Sequence, residues 1–137
     1  MPTQRGRPGR PLLAIWGAIL AVAAAVVGRR VLDAVVVRGE SMAPALRPGD
    51  RLVIEAFTLR RRAPRVGEIV LAADPRSPER ELVKRVAGHD PVTDLVELRG
   101  DAPDASTDSR TFGAVPRGMI RWRVAVRYWP LGRVRFL

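Results

Sequence analysis

The sequence predicts an all-β domain, a compact barrel or sandwich, behind one N-terminal apolar helix. Three observations carry this. β-branched runs such as Val35-Val36-Val37 and Leu52-Val53-Ile54 recur at short intervals. Gly- and Pro-bearing turns separate them. Beyond one uncharged N-terminal stretch, no segment shows the periodicity of an amphipathic helix. With 137 residues there is room for one domain with a modest core.

Residues 1–11 are polar and basic, with Arg5, Arg7 and Arg10 among Gly and Pro, a composition that predicts disorder. Leu12 to Val27 then runs without a charge. Its roughly 16 residues rise about 24 Å as a helix, short of a hydrocarbon core of about 30 Å. Snorkelling Arg29 and Arg30 let a span extend over 12–32. A membrane anchor, a cleaved signal peptide with small-residue sites in Ala21 to Ala25, and a buried core helix all fit this stretch. More arginines precede it than follow it, which as an anchor places the N-terminus in the cytoplasm and residues 33–137 outside.

Strands are expected over Ala34–Val37, Arg51–Ile54, Gly67–Ala72, Glu81–Ala87 and Leu95–Leu98, with a long final strand over Met119–Tyr128. Turns are expected at Asp74–Pro78 and Gly88–Pro91. Arg60 to Arg65 reads as a basic loop, facing solvent or anionic head groups.

The formal net charge of +10 fits an anionic neighbour, membrane or nucleic acid. With no cysteine there is no disulfide or thiol chemistry, and one histidine without cysteine makes a transition-metal site implausible. His89, in Gly-His-Asp-Pro, could enter a Ser/His/Asp triad only with Asp90 or Asp94, and sequence neighbours in a turn make a poor triad. Of the 24 basic side chains only Lys84 is a lysine. Arginine stays charged at any accessible pH, whereas a buried lysine can lose its proton and act as a base. In a Glu81–Ala87 strand, Leu82, Lys84 and Val86 share one face, so Lys84 projects among apolar neighbours. The alternatives are a solvated strand lysine, or one paired with Glu81 or Glu97.

Ser41 lies in Gly39-Glu40-Ser41-Met42-Ala43-Pro44, followed by Gly49-Asp50, on a tight connection between two strands. Taken alone it is a turn serine. Together with Leu82-Val83-Lys84-Arg85-Val86 and Gly100-Asp101 through Gly113, in that order, it resembles the three boxes of the type I signal peptidases, the membrane-bound Ser/Lys proteases. The resemblance covers about Val35 to Val126. It implies a signal-peptidase-like β-barrel or sandwich and favours the anchor reading. It also implies a Ser41 nucleophile activated by Lys84, with Ser106 orienting the amine and an Asp108–Arg110 ion pair behind the site. No cofactor is implied, and no nucleic acid.

The implied substrates are exported preproteins with small residues before the cleavage site, processed outside the plasma membrane at the bilayer surface. Gly39 stands where some members carry an oxyanion-hole serine, which leaves the Ser41 N–H as the donor. Ala45 and Ala102 depart from the usual Thr and Asn, and Pro103 and Ala105 fill commonly polar positions. The short stretch from Lys84 to Gly100 leaves no large accessory domain. Two rivals remain: a dedicated maturation protease, like the small family members that process nickel superoxide dismutase, and a non-catalytic basic β-module on membrane or nucleic acid.

Overall fold

The structure, a computed structural model, describes residues 10–137. The stretch expected to be disordered lies outside these residues up to Gly9, whereas Arg10 and Pro11 already belong to a helix. The chain divides after Arg30 into two units, and the larger, Val31–Leu137, carries the strands.

Helix α1 (Arg10–Val31) contains the uncharged run. The helix is apolar all round: Leu13, Trp16, Leu20 and Val27 are each more than half exposed. It stops one residue before the expected end, because Leu32 opens a strand. Among the described residues no helix is long and apolar enough to cross a membrane.

The second unit is one antiparallel sheet. Its strands are β1 (Leu32–Val36), β2 (Arg51–Glu55), β3 (Ile69–Asp74), β4 (Ser77–Asp90), β5 (Leu95–Arg99), β6 (Val115–Pro116), β7 (Ile120–Trp129) and β8 (Arg135–Phe136). The order is β1-β2-β7-β3-β4-β5-β6, with β8 paired to β7. The all-β expectation therefore holds. Two short helices interrupt it, α2 (Phe57–Arg61) and α3 (Ser109–Phe112). The first takes up part of the expected basic loop.

β3 lies between β7 and β4 and is buried along its whole length. Its alternate residues feed two cores. Ile69 and Leu71 join Val37, Met42, Leu46, Leu52, Ile54 and Val124. Val70 and Ala72 join Val86, Val96, Leu98, Val115 and Ile120. A strand covered on both faces reads as a continuous apolar run, as Ile-Val-Leu-Ala-Ala does here. Each fully buried aliphatic side chain contributes about 1.5–3 kcal/mol, so the two clusters hold the sheet.

The turn expected at Gly88–Pro91 is displaced. β4 runs on to Asp90, and Gly88 sits at a bulge where the β4–β5 register shifts. A strand glycine commonly marks such a bulge. The hairpin closes later: Asp90 accepts from the Val92 N–H and the Thr93 hydroxyl, and Asp94 takes a positive φ of 54°.

The β1–β2 connection is tied to β7. Asp50 is buried and faces Arg127 and Arg133, each at 3.4 Å. Arg127 also donates to the Ala45 carbonyl within the connection and to the Arg133 carbonyl at 2.7 Å. Breaking a buried pair typically costs about 3–5 kcal/mol when one charge is left without a partner, and with Arg133 still beside Asp50 the lower end applies here. Arg127→Ala is therefore expected to lower unfolding stability by about 3 kcal/mol, measured by urea denaturation of the solubilised protein. Loss of well under 1 kcal/mol would show that the connection is held by its own turns.

Candidate active site

Ser41 is placed by its loop's own hydrogen bonds. The loop opens where β1 ends, with the Val37 N–H donating to the Asp50 carbonyl (2.8 Å) and the Gly49 N–H to the Val37 carbonyl (3.0 Å). Within it, Ala43 N–H reaches the Glu40 carbonyl at 2.9 Å and Leu46 N–H the Met42 carbonyl at 2.8 Å. Met42 and Leu46 are buried in the first core and pin the loop from below. Gly39 and Gly49 take φ values of 81° and 90°, a region that glycine enters without steric cost. The Ser41 hydroxyl is thus held on this turn, half-buried, while among the described residues its backbone N–H donates to no backbone carbonyl.

Lys84 is placed by β4. Leu82, Lys84 and Val86 are buried, and Val83 and Arg85 are not, which is the expected alternation. Lys84 lies opposite Val70 and Leu82 opposite Ala72, so their side chains share the face of the second core. Lys84 is 3 % exposed. Burial pushes its pKa below the ordinary lysine value, the positive charges of Arg80 and Arg110 push it the same way, and Asp108 and Asp74 oppose them.

Ser41 and Lys84 line one cleft of about 510 Å³. Its walls come from the end of β1 and the serine loop on one side and from β4 between Arg80 and Lys84 on the other. The serine and the amine share this space without a hydrogen bond between them. Such contacts commonly form only when substrate is bound.

The third sequence box closes behind the serine. Asp108 is fully buried and accepts from the Gly100 N–H at 2.8 Å, the Ser106 hydroxyl at 2.7 Å and the Arg110 N–H at 3.1 Å. The Arg110 guanidinium grips both of its oxygens. These donors, Arg110 first, hold the Asp108 carboxyl well below the usual carboxylate range. Asp108 and Arg110 are therefore an ion pair. The Ser106 hydroxyl gives its proton to Asp108; no hydrogen bond joins it to Lys84.

Three features of the site escaped the sequence reading. Gly100 is buried where a side chain has no room: a Cβ there would meet Ser106 Oγ at 2.2 Å and the Ser41 carbonyl oxygen at 2.6 Å. The Ala102 N–H donates to that same carbonyl at 3.0 Å, so the third box holds Ser41 directly. Arg85 makes a two-bond fork to Asp101, at 2.8 Å through Nε, joining the lysine strand to this loop. Gly100, Asp101 and Arg85 all stand in the recognised boxes, but nothing in the sequence pairs Arg85 with Asp101 among so many arginines. His89 pairs with Asp94 at 2.9 Å on the β4–β5 hairpin and does not line the cleft, which removes the triad reading.

The sequence matches the family described as signal peptidase, peptidase S26, over residues 12–99. The chain belongs to this family. The "Mitochondrial ATP-independent inner membrane protease subunit 1b" of Arabidopsis thaliana is 36% identical over 67% of each chain. The "Mitochondrial inner membrane protease subunit 1" of Xenopus tropicalis is 33% identical, over 72% of this chain and 70% of that protein. The "Probable signal peptidase I-2" of Synechocystis sp. is 29% identical, over 78% and 67% respectively. The matched residues contain Ser41 and Lys84 but end before Ser106, Asp108 and Arg110.

Gly100→Ala gives a direct check of how the third box supports the serine. The added methyl must displace Ser106 or the Ser41 carbonyl, and overpacking of this kind typically costs about 1–3 kcal/mol. A fall in stability of that size, with loss of any peptidase activity beyond the unfolded fraction, is expected from thermal melts and turnover assays. A variant as stable and active as the parent would show that the contact yields freely.

Proposed function

We propose that this chain is a membrane-anchored serine endopeptidase of the signal peptidase I type, working through a Ser41/Lys84 dyad. The observation that carries the reading is the meeting of Ser41 with a buried lysine of depressed pKa in one cleft. A serine hydroxyl is a weak nucleophile until a base takes its proton, and a desolvated amine is such a base.

In this mechanism neutral Lys84 Nζ takes the Ser41 proton as Oγ attacks the scissile carbonyl. The Ser41 N–H, free of backbone partners, stabilises the oxyanion. Lys84 then protonates the departing amine, and water hydrolyses the acyl-enzyme with Lys84 again as base. Ser106, its proton committed to Asp108, can only accept from Lys84, which suits it to steer the amine. The Asp108–Arg110 pair holds Ser106 and Gly100 in place.

Substrates on this reading are exported preproteins carrying small residues before the cleavage site. Helix α1, which contains the uncharged run, is the anchor on this reading. The domain stands on the extracytoplasmic side of the plasma membrane. A dedicated maturation protease would use the same dyad and differ only in substrate. The protease and signal peptidase names of the relatives favour a peptidase over a non-catalytic module.

Lys84→Arg is expected to abolish cleavage as fully as Ser41→Ala, since guanidinium does not deprotonate near neutral pH. The double variant should be little worse than either, because the two groups act as a unit. Only neutral Lys84 is competent, so activity should rise with pH through a midpoint below the ordinary lysine value of 10.5. The same downward shift makes folding stability rise with pH across the window between that midpoint and 10.5, and fall as pH drops through the midpoint. Both trends should vanish in Lys84→Met. An active Lys84→Arg enzyme would remove the dyad.

The anchor is tested by fractionation. The protein should sediment with membranes and resist carbonate extraction, with its C-terminal domain open to protease from the extracytoplasmic side. Recovery of the full chain from the soluble fraction would exclude it.

A further inference from the structure

Arg80, Leu82, Lys84 and Val86 occupy alternate positions of β4, and alternate side chains of a strand share a face. The last three are buried, whereas Arg80 is exposed. The β3–β4 pairing shifts between Ala73 and Asp74, and the register gives Arg80 no cross-strand partner. The strand therefore leaves the core here and carries its inward face out along the cleft. Arg80 and Lys84 line that cleft together with Ser41, and the Arg80 charge reaches the Lys84 amine.

The neighbouring charges are largely spoken for. Arg76 holds buried Asp74 through Nε at 2.9 Å and Nη2 at 2.7 Å, and its guanidinium lies over the Phe112 ring. Asp74, which also feels Arg80, is closed by that fork. Glu81 also lines the cleft, and its carboxylate reaches Arg121 at 3.4 Å. Arg38 and Glu40, of opposite sign, also line the cleft, and among the described residues neither forms an ion pair. Among the described residues Arg80 makes no ion pair, so a guanidinium stands open on the wall of the cleft.

We infer that Arg80 is a specificity-determining residue that selects an acidic side chain on an extended peptide, within about four residues of the scissile bond. The reach follows from the strand, where four steps of about 3.3 Å put Arg80 about 13 Å along from Lys84 and an extended peptide advances at the same rate. A carboxylate matches the guanidinium fork in shape and charge. The inference rests on the peptidase reading proposed above.

The test uses short labelled peptides that differ only in carrying Glu, Gln or Lys at one position at a time. Binding to detergent-solubilised Ser41→Ala protein is read by fluorescence anisotropy, and cleavage by the parent protein is read in parallel. At one position Glu should be preferred over Lys by about threefold or more, the scale of one exposed ion pair, and the preference should shrink with added salt. Arg80→Gln should erase it and Arg80→Glu should reverse it. Each comparison is a ratio within one protein, so any effect of Arg80 on Lys84 cancels. Cleavage without a charge preference, or a preference that Arg80→Glu leaves unchanged, overturns the assignment. Charge-selective binding that follows Arg80, with no cleavage by the parent, supports the assignment and overturns the peptidase reading instead.

Discussion

Lys84 is buried on the inner face of β4, and among the described residues no carboxylate forms an ion pair with it. A charged amine so placed is costly, and the protein lowers the cost by favouring the neutral form. That constraint orders much of the structure around it. β3 supplies Val70 and Ala72 as cross-strand neighbours, which exclude water from the amine's face. Asp108, the carboxylate whose charge most favours protonating Lys84, is saturated by Arg110, Ser106 and Gly100. Arg110 thereby both neutralises Asp108 and adds its own opposition to a second positive charge nearby.

The serine faces the opposite requirement. A hydroxyl must stand clear of the backbone on a turn that cannot relax, so its loop is fixed from several directions. Met42 and Leu46 anchor it in the first core, Arg127 holds the Ala45 carbonyl, and Ala102 holds the carbonyl of Ser41 itself. Gly100 permits the last of these contacts by having no side chain. The three sequence boxes are thus connected mechanically as well as chemically. Ala102 joins the first to the third, and the Arg85–Asp101 fork joins the second to the third. A shift of the third box would be felt at both Ser41 and Lys84.

Charge in this protein does several kinds of work with one residue type. Arg110 and Arg127 satisfy buried carboxylates, Arg85 ties two segments together, and Arg80 stands open on the cleft wall. Composition alone places them in one class, as an overall basic charge that invites an anionic partner. Their separate roles come from where the sheet puts each one.

Much of the fold was legible because it rests on short-range pattern. β-branched runs, turn residues and the period-two alternation around Lys84 are local properties, and the strands and the burial of that lysine followed from them. Ser41 and Lys84 were legible through the order of their boxes. Boundaries were less so: Gly88 read as a turn residue, yet it pairs with Glu97 just past a bulge at Ala87, and the hairpin closes at Asp94 after a turn capped by Asp90. The tertiary structure alone decided which contacts are made across long separations. The Asp50–Arg127 pair spans 77 residues, and nothing in a chain rich in arginine marks one arginine as its partner. Ser106 resembled a lysine-orienting hydroxyl; that its proton is directed to Asp108 was decided by the distance between two side chains on one loop. Residue types and their order determined what chemistry the chain can hold. Packing determined which groups are dry, which are paired, and which are left open to a substrate.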